Sequence, residues 1–188
     1  WDGMIPALKA RKYDLIMASM SITDERKQQV DFSEKYYNTP SAIAVPKDSD
    51  LKGVTKEDLA GKTIGVATST THYNYAEKTF TDSTIKGYPS SQEYMLDIAN
   101  GRLDAVEDDI VVLSQWLATP EGACCKLLGQ PSPQPVEIFG PGAGIAVRKG
   151  DPLAGEFSAA IKAIRANGKY KAINDKYFKF DVYGAEGS

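Results

Sequence analysis

The sequence predicts an α/β protein that is divided into two lobes. Short apolar runs alternate with helical segments along most of the 188 residues, a pattern typical of α/β folds with a mostly parallel sheet. The middle of the chain contains strand–helix–strand units of its own, between two segments where the chain crosses from one lobe to the other. We therefore expect lobe one to comprise residues 1–39 and 143–188 and lobe two residues 42–138, with crossings near 38–42 and 139–143.

The composition narrows the possible functions. The chain is 42% hydrophobic and 25% charged, which is typical of a globular protein with an apolar core. No apolar run approaches the roughly 20 residues that span a bilayer. The net charge of −3 and the lack of a basic block give no support to nucleic acid as a partner. A single histidine excludes a histidine-based metal cluster, so we expect neither a metal nor another cofactor.

The elements follow from periodicity and from helix-start and turn residues. At the beginning we expect a helix over 4–12, a strand over 13–18 that buries Leu15, Ile16 and Met17, a helix over 23–29 and a strand over 42–45. The middle predicts a helix at 55–59, a strand at 63–67, a helix at 72–80, a strand at 84–88, a helix opened by a Ser90–Glu93 capping box and closed by Gly101, a strand at 103–106 and a helix at 110–117. The proline-rich residues 119–134 are interpreted as a surface excursion. The end predicts a strand at 145–148, a helix from Asp151 to Asn167 and an amphipathic segment over 170–180.

Residues 18–26 have the chemistry of an anion-binding site. A buried strand is expected to end there, followed by Ser19, Ser21 and a helix that Thr23 can cap. The junction of a strand with a helix N-terminus is where an α/β sheet places a ligand. Arg26 adds a planar fork suited to a carboxylate or phosphate, and we favour a carboxylate. The alternative is a plain strand–helix junction in which Arg26 pairs with Asp24 or another surface acid.

Two further features share this chemistry. The hydroxyl run Thr68–Thr71 follows the strand at 63–67 and precedes a helix, so it repeats the first junction. The acids Glu107, Asp108 and Asp109 follow the strand at 103–106. Asp109 can simply cap the helix that starts at 110, and the residues alone do not decide which of the three acids would meet a ligand.

The chain's two cysteines are adjacent. The spacing of Cys124 and Cys125 fits neither a metal site nor an ordinary disulfide framework. Free thiols, a vicinal disulfide and a link to another chain all remain open.

Several motifs together resemble bacterial periplasmic amino-acid-binding proteins of ABC importers. They are Trp1-Asp2-Gly3-Met4-Ile5-Pro6-Ala7-Leu8, the Ser-x-Ser-Ile-Thr-x-x-Arg stretch at 19–26, Asp31-Phe32-Ser33, Gly101-Arg102-Leu103-Asp104-Ala105, Gly144-x-x-Val147-Arg148-Lys149 and the run from Lys176 to Gly184. The chain is most similar to the branch that binds lysine/arginine/ornithine, histidine or opines. This resemblance implies the type II periplasmic-binding-protein fold, in which two α/β lobes close on an amino acid.

The resemblance also implies roles for individual residues. Arg26 would bind the α-carboxylate, helped by the backbone N–H groups of Ser21 and Thr71. Asp109 would bind the α-ammonium, with a backbone carbonyl from Ser19. The remaining expected ligand-binding residues are Thr70 through its hydroxyl, Ala67 and His72 along the side-chain region, Trp1 against the ligand's side chain, and Ala18 and Met20 at wall positions. Tyr36 and Tyr37 are expected to serve packing, and His72 to lie at the rim.

The implied function is capture of a polar, cationic amino acid or opine in the periplasm and its delivery to an inner-membrane ABC permease. The protein would not be an enzyme. The alternative is an enzyme on the same fold, such as a prephenate- or arogenate-type dehydratase, since fold does not fix function. A third interpretation is the ligand-binding domain of a sensor.

The resemblance differs at the beginning of the chain. Members of the family carry about fifty residues before the position of Trp1, including strand residues without which lobe one would have unpaired edges. We therefore expect lobe one to be incomplete, with either a missing segment or a second chain to complete it. We also expect these 188 residues alone to bind amino acids weakly or not at all.

Overall fold

A computed structural model describes residues 1–38 and 40–184. The chain divides into two compact units. The central unit comprises Trp1–Asp2 and Pro40–Gln134, and the outer unit comprises Gly3–Thr39 and Pro135–Ser188.

Helices and strands alternate along the chain, so the predicted α/β class is confirmed. The helices are α1 (Met4–Lys9), α2 (Asp24–Lys27), α3 (Thr71–Thr79), α4 (Ser91–Ala99), α5 (Ile110–Leu117), α6 (Val136–Phe139), α7 (Leu153–Ala166) and α8 (Lys169–Tyr177), with a 3-10 turn at Glu121–Cys124. The strands are β1 (Leu15–Ile16), β2 (Val30–Tyr37), β3 (Ser41–Pro46), β4 (Thr63–Ala67), β5 (Thr84–Tyr88), β6 (Ala105–Asp109), β7 (Cys125–Gly129) and β8 (Ala143–Arg148).

The outer unit is built on a three-stranded sheet in the order β1-β8-β2. Both pairings are antiparallel, with Leu15 opposite Val147 and Val30 opposite Arg148. Helix α7 packs on β2 and β8. One buried cluster joins helix α1 to this sheet, and it consists of Leu8, Ile16, Met20, Val30 and Ala146.

The central unit is built on a five-stranded mixed sheet in the order β5-β4-β6-β3-β7. Strand β4 pairs in parallel with β5 and β6, because β4–α3–β5 and β5–α4–β6 are strand–helix–strand crossovers. Strand β3 pairs antiparallel with β6 and β7. Part of the core lies under α4 and α5, where Tyr94, Leu113 and Trp116 are buried together.

Several predictions about the elements differ from the structure. A mostly parallel sheet is wrong for the outer unit, where both described pairings are antiparallel. The predicted helix at 55–59 is a turn in which Thr55 and Asp58 hydrogen-bond each other's backbone N–H groups. Ser90 precedes α4 but donates to Glu93 Oε1 at 3.2 Å, so the capping box is not formed. The surface excursion at 119–134 contains β7, which is an edge strand of the central sheet.

The unit boundaries also differ from the expected lobes at two places. Trp1 was expected in lobe one but belongs to the central unit, because its indole N–H donates to the carbonyl oxygen of Ser69 at 3.0 Å. Residues 135–138 were expected in lobe two but belong to the outer unit. The chain that follows them is joined to that unit by a 3.0 Å bond from Gly144 N to Met20 O and a 2.9 Å bond from Ile22 N to Gly142 O.

Within the described residues, no helix has both the length and the apolar character needed to cross a membrane.

Candidate functional site

In the outer unit, the side chain of Arg26 is held in one orientation by the backbone before it. Thr23 caps α2, since its hydroxyl oxygen accepts from Arg26 N at 3.3 Å. The Arg26 guanidinium donates through Nη1 to Ser21 O at 3.0 Å. Burial lowers the pKa of Arg26, while Glu25 opposes that change. The guanidinium nevertheless keeps its charge at neutral pH, so a half-buried, pre-oriented cation is present at the predicted anion-binding residues.

The backbone before Arg26 adopts an uncommon conformation. Ser19 has a φ of 58°, in the left-handed region, where a non-glycine residue costs about 1 kcal/mol or more. Its N–H donates to the hydroxyl of Tyr36 at 2.8 Å, so Tyr36 stabilises this turn. Ala18 beside it is exposed. The turn therefore leaves Ala18 at the surface, while Met20 enters the core.

Two methionines are placed differently from the prediction. Met20 was predicted at a wall of the ligand site, but its side chain is 1% exposed and packs in the core cluster with Leu8 and Ile16. Met17 was predicted to be buried and is 61% exposed. Strand β1 ends at Ile16, so the buried strand predicted over 13–18 does not extend to Met17.

In the central unit, the hydroxyl of Thr70 is committed within the protein. Thr70 caps α3 by accepting from Tyr73 N at 3.0 Å, and its own proton goes to Ala67 O at 2.7 Å. A hydroxyl has one proton, and that proton is used within the protein here, so a role of the Thr70 hydroxyl toward a ligand stays a prediction. Ala67 is 8% exposed and packs in the core cluster under α4, which also leaves little of it to line a ligand site. Thr71 is buried as the first residue of α3.

Trp1 is attached to the same junction. Its indole N–H donates to the carbonyl oxygen of Ser69 at 3.0 Å. Ser69 has a φ of 59°, so, like Ser19, it adopts the left-handed conformation within a predicted site segment. The Trp1 side chain remains 38% exposed. One edge of the indole is therefore anchored while part of the ring faces outward.

Asp109 is both buried and a helix cap. Its residue is 3% exposed, and Oδ1 accepts from Val111 N at the start of α5 at 2.7 Å. The simple capping alternative is thus correct for Oδ1. A carboxylate has two oxygens and about four acceptor positions, so capping is compatible with a second role in binding an ammonium group.

Asp108 and His72 form a buried network beside Asp109. Asp108 accepts from Asp109 N at 2.7 Å and from the hydroxyl of Tyr94. His72 Nε2 lies 3.9 Å from Asp108 Oδ1, and His72 is 6% exposed. The expectation that His72 lies at the rim is therefore wrong. Burial and the neighbouring Asp108 raise the pKa of Tyr94 well above its usual range, so Tyr94 stays a hydrogen-bond donor to Asp108.

Glu107 is a core group. It is 0% exposed, and the Ser41 hydroxyl donates to its Oε1 at 2.6 Å. Burial raises the pKa of Glu107 to about 8, so the carboxyl is largely protonated at neutral pH. Of the three acids, which all lie in β6 rather than after it, Asp109 is the one that is buried and also caps a helix.

Sequence reasoning missed the groups that hold these residues in place. Tyr36 stabilises the turn at Ser19, and Tyr94 binds Asp108. The Gln134 side chain accepts from Ser41 N at 2.7 Å and donates to Ser41 O at 2.9 Å. In the sequence, the only signal for these supporting roles is that tyrosine and glutamine side chains can form hydrogen bonds. Among the described residues, no group of three or more His, Cys, Asp or Glu is placed to hold a metal ion.

Comparisons with known proteins give the family of the chain. Residues 1–180 match the bacterial extracellular solute-binding proteins, family 3, and the chain belongs to this family. It is 50% identical to an L-arginine-binding protein of Pseudomonas aeruginosa over 98% of this chain and 72% of that protein. It is 38% identical to the histidine-binding periplasmic protein of Escherichia coli over 97% and 71%.

Solved structures agree with the fold. The ancestral amino-acid-binding protein AncCDT-1, a precursor of cyclohexadienyl dehydratase, matches with a TM-score of 0.78 and 31% identity over 95% of this chain and 74% of that one. The predicted type II periplasmic-binding-protein fold and the predicted family are thereby confirmed.

Proposed function

We propose that this protein is the solute-binding component of an ABC importer for arginine or a closely similar cationic amino acid. The observation that carries the proposal is the presence, in one chain, of a half-buried guanidinium at Arg26 and a buried carboxylate at Asp109. These are the charges that complement an α-carboxylate and an α-ammonium. The 50% identity to an L-arginine-binding protein supports arginine over other amino acids.

The residues divide between two recognition tasks. Arg26 binds the ligand carboxylate together with the backbone N–H groups of Ser21 and Thr71, and Asp109 binds the ammonium with the Ser19 carbonyl. Trp1, Ala18 and His72 stay predictions for the ligand's side chain. A Trp face attracts a cation by roughly 0.5–2 kcal/mol, which suits Trp1 beside a guanidinium.

The proposal includes a compartment and a partner. We infer a periplasmic location because the similar histidine-binding protein of Escherichia coli is periplasmic. We infer delivery to an inner-membrane permease because another similar protein of Escherichia coli is the arginine-binding protein of an ABC transporter. Glu107 is fully buried, and Asp108 accepts from Asp109 N and from the hydroxyl of Tyr94. This supports a binder over the dehydratase alternative, which needs an acid placed on a leaving group.

Titration calorimetry of the chain with arginine and with agmatine tests this proposal. Agmatine keeps the guanidinium but lacks the α-carboxylate that Arg26 is proposed to bind, so arginine is expected to bind and agmatine is not. Equal binding of the two, or a neutral amino acid that binds as tightly as arginine, would overturn the proposal. Sub-micromolar arginine binding would contradict the expectation that these 188 residues alone bind weakly or not at all. Steady consumption of prephenate or arogenate would instead favour the enzyme.

A further inference from the structure

The chain's two cysteines lie together at the junction between the 3-10 turn and the edge strand of the central unit. Cys124 ends the turn and Cys125 begins β7. Their sulfur atoms are 2.7 Å apart and in direct contact, whereas a covalent S–S bond is about 2.05 Å long. We propose that Cys124 and Cys125 are a redox modification site that closes to a vicinal disulfide by exchange with a disulfide donor.

The backbone on both sides keeps the two thiols close. The carbonyl of Cys124 accepts from Lys47 N at 2.9 Å, and Cys125 pairs with Pro46 in the ladder between β3 and β7. Separating the sulfur atoms by backbone movement would break this end of the ladder. Cys125 also packs in the core cluster with Trp116, which fixes its side chain.

The two thiols differ in access, and this sets the order of reaction. Cys124 is partly exposed, whereas Cys125 is 4% exposed. Burial raises the pKa of the Cys125 thiol to about 12, and Cys124 adds to the rise. Because the thiolate is the nucleophile, Cys124 reacts first with a disulfide donor.

The chemistry is two successive thiol–disulfide exchanges. The Cys124 thiolate attacks one sulfur of the donor, the donor S–S bond breaks, and its other sulfur leaves as a thiolate. Cys125 then gives its proton to water or buffer and attacks Cys124 Sγ, so that the mixed disulfide breaks and the second donor thiolate leaves. Two cysteine thiols are oxidised to one disulfide, and the donor disulfide is reduced to two thiols.

The product removes the reactive thiol rather than cross-linking the fold. A bond between neighbouring residues closes almost no loop, so little unfolded-state entropy is lost. The bond protects a partly exposed thiol from pairing with another molecule in an oxidising compartment such as the proposed periplasm. Neither step involves Arg26 or Asp109, so the modification and the proposed ligand binding can fail independently.

Intact-mass spectrometry of the reduced protein after incubation with oxidised glutathione tests the proposal. The unmodified chain is expected to lose the mass of two hydrogens, keep no glutathione and stay monomeric, with both thiols gone in a thiol assay. The Cys125→Ala variant, which lacks the second nucleophile, is expected to retain one glutathionyl group on Cys124. A stable glutathione adduct on the unmodified chain, a covalent dimer or two persistently free thiols would overturn the proposal. The readout needs no ligand, so it stands whether or not arginine binds.

Discussion

The Ser41 hydroxyl donates a 2.6 Å hydrogen bond to the carboxyl of Glu107 in the core of the central unit. Ser41 begins β3 and Glu107 lies in β6, two strands that pair antiparallel. Glu107 Oε2 has no hydrogen-bond partner among the described residues. A charged carboxylate in this position would be poorly compensated, so the neutral acid is the form that the core stabilises.

This relationship predicts that stability falls as the pH rises. The pKa of Glu107 is raised from 4.5 to about 8 by burial, so between these values the folded state binds more protons than the unfolded state. The stabilisation is fully present below about pH 4.5 and is lost by about pH 8, on the order of a few kcal/mol at most. Asp108 and Tyr75 are the titratable groups that interact with Glu107.

Urea unfolding of Glu107→Gln across this pH range checks the prediction. The neutral amide should flatten the pH dependence of the free energy of unfolding, while Glu57→Gln on an exposed turn should leave it unchanged. If Glu107→Gln keeps the full slope of the parent, Glu107 is not the group responsible.

Sequence reasoning reached the features that depend on nearby residues. Thr23 was predicted as a helix cap because a cap acts on an N–H three residues later. The strands at 63–67 and 84–88 were predicted with the observed bounds. These choices needed only local patterns.

The missed features depend on distant pairings. Ser41 and Glu107 are 66 residues apart and meet only because β3 and β6 pair in one register. Trp1 and Ser69 are 68 residues apart, so the place of Trp1 in the central unit could not follow from its neighbours in sequence. Met20 was predicted at a wall of the ligand site, but it packs with Leu8 and Ala146, which its neighbours in sequence do not indicate.

The placement of Met20 predicts a large loss of stability on truncation. Met20→Ala removes a side chain that is 1% exposed in the core cluster, at a cost of about 2–5 kcal/mol. Met17→Ala is the matched control, since Met17 is 61% exposed and its truncation should change the free energy of unfolding by less than about 0.5 kcal/mol. Denaturant midpoints measure both, and equal losses would show that Met20 is not a core residue.

Arg26 predicts a loss of binding without a loss of fold. Arg26→Ala removes the proposed partner of the ligand carboxylate, which should cost about 2–5 kcal/mol in affinity for arginine, or roughly thirtyfold to several thousandfold. Lys27→Ala, in the same short helix, removes an exposed pair with Asp24 and should stay within about threefold of the parent. Calorimetric titration with arginine measures both affinities. If the affinity of Arg26→Ala is within about threefold of the parent affinity, Arg26 does not bind the ligand carboxylate.

Trp1 predicts a preference for a charged ligand side chain. Its ring is 38% exposed and anchored at one edge by Ser69. Trp1→Ala should weaken the binding of arginine by about 0.5–2 kcal/mol, while the binding of citrulline, its neutral analogue, should change much less. Trp1→Phe keeps an aromatic ring, so its affinity for arginine should lie between those of the parent and Trp1→Ala. Parallel losses for arginine and citrulline would show that the ring acts through packing and not through attraction to a cation.

The two roles of Asp109 can be separated by one substitution. Asp109 Oδ1 accepts from Val111 N at 2.7 Å, and asparagine is as good a cap as aspartate. Asp109→Asn should therefore unfold near the midpoint of the parent protein. Because it removes the negative charge proposed to face the ligand ammonium, it should weaken the binding of arginine by about 2–5 kcal/mol. Asp109→Ala loses the cap as well and should cost a further ~1 kcal/mol of stability. Thermal melts and calorimetric titration of both variants are the measurements. Parent-like arginine affinity in Asp109→Asn would mean that Asp109 caps α5 and does nothing more, because the cap is the one function that the asparagine preserves.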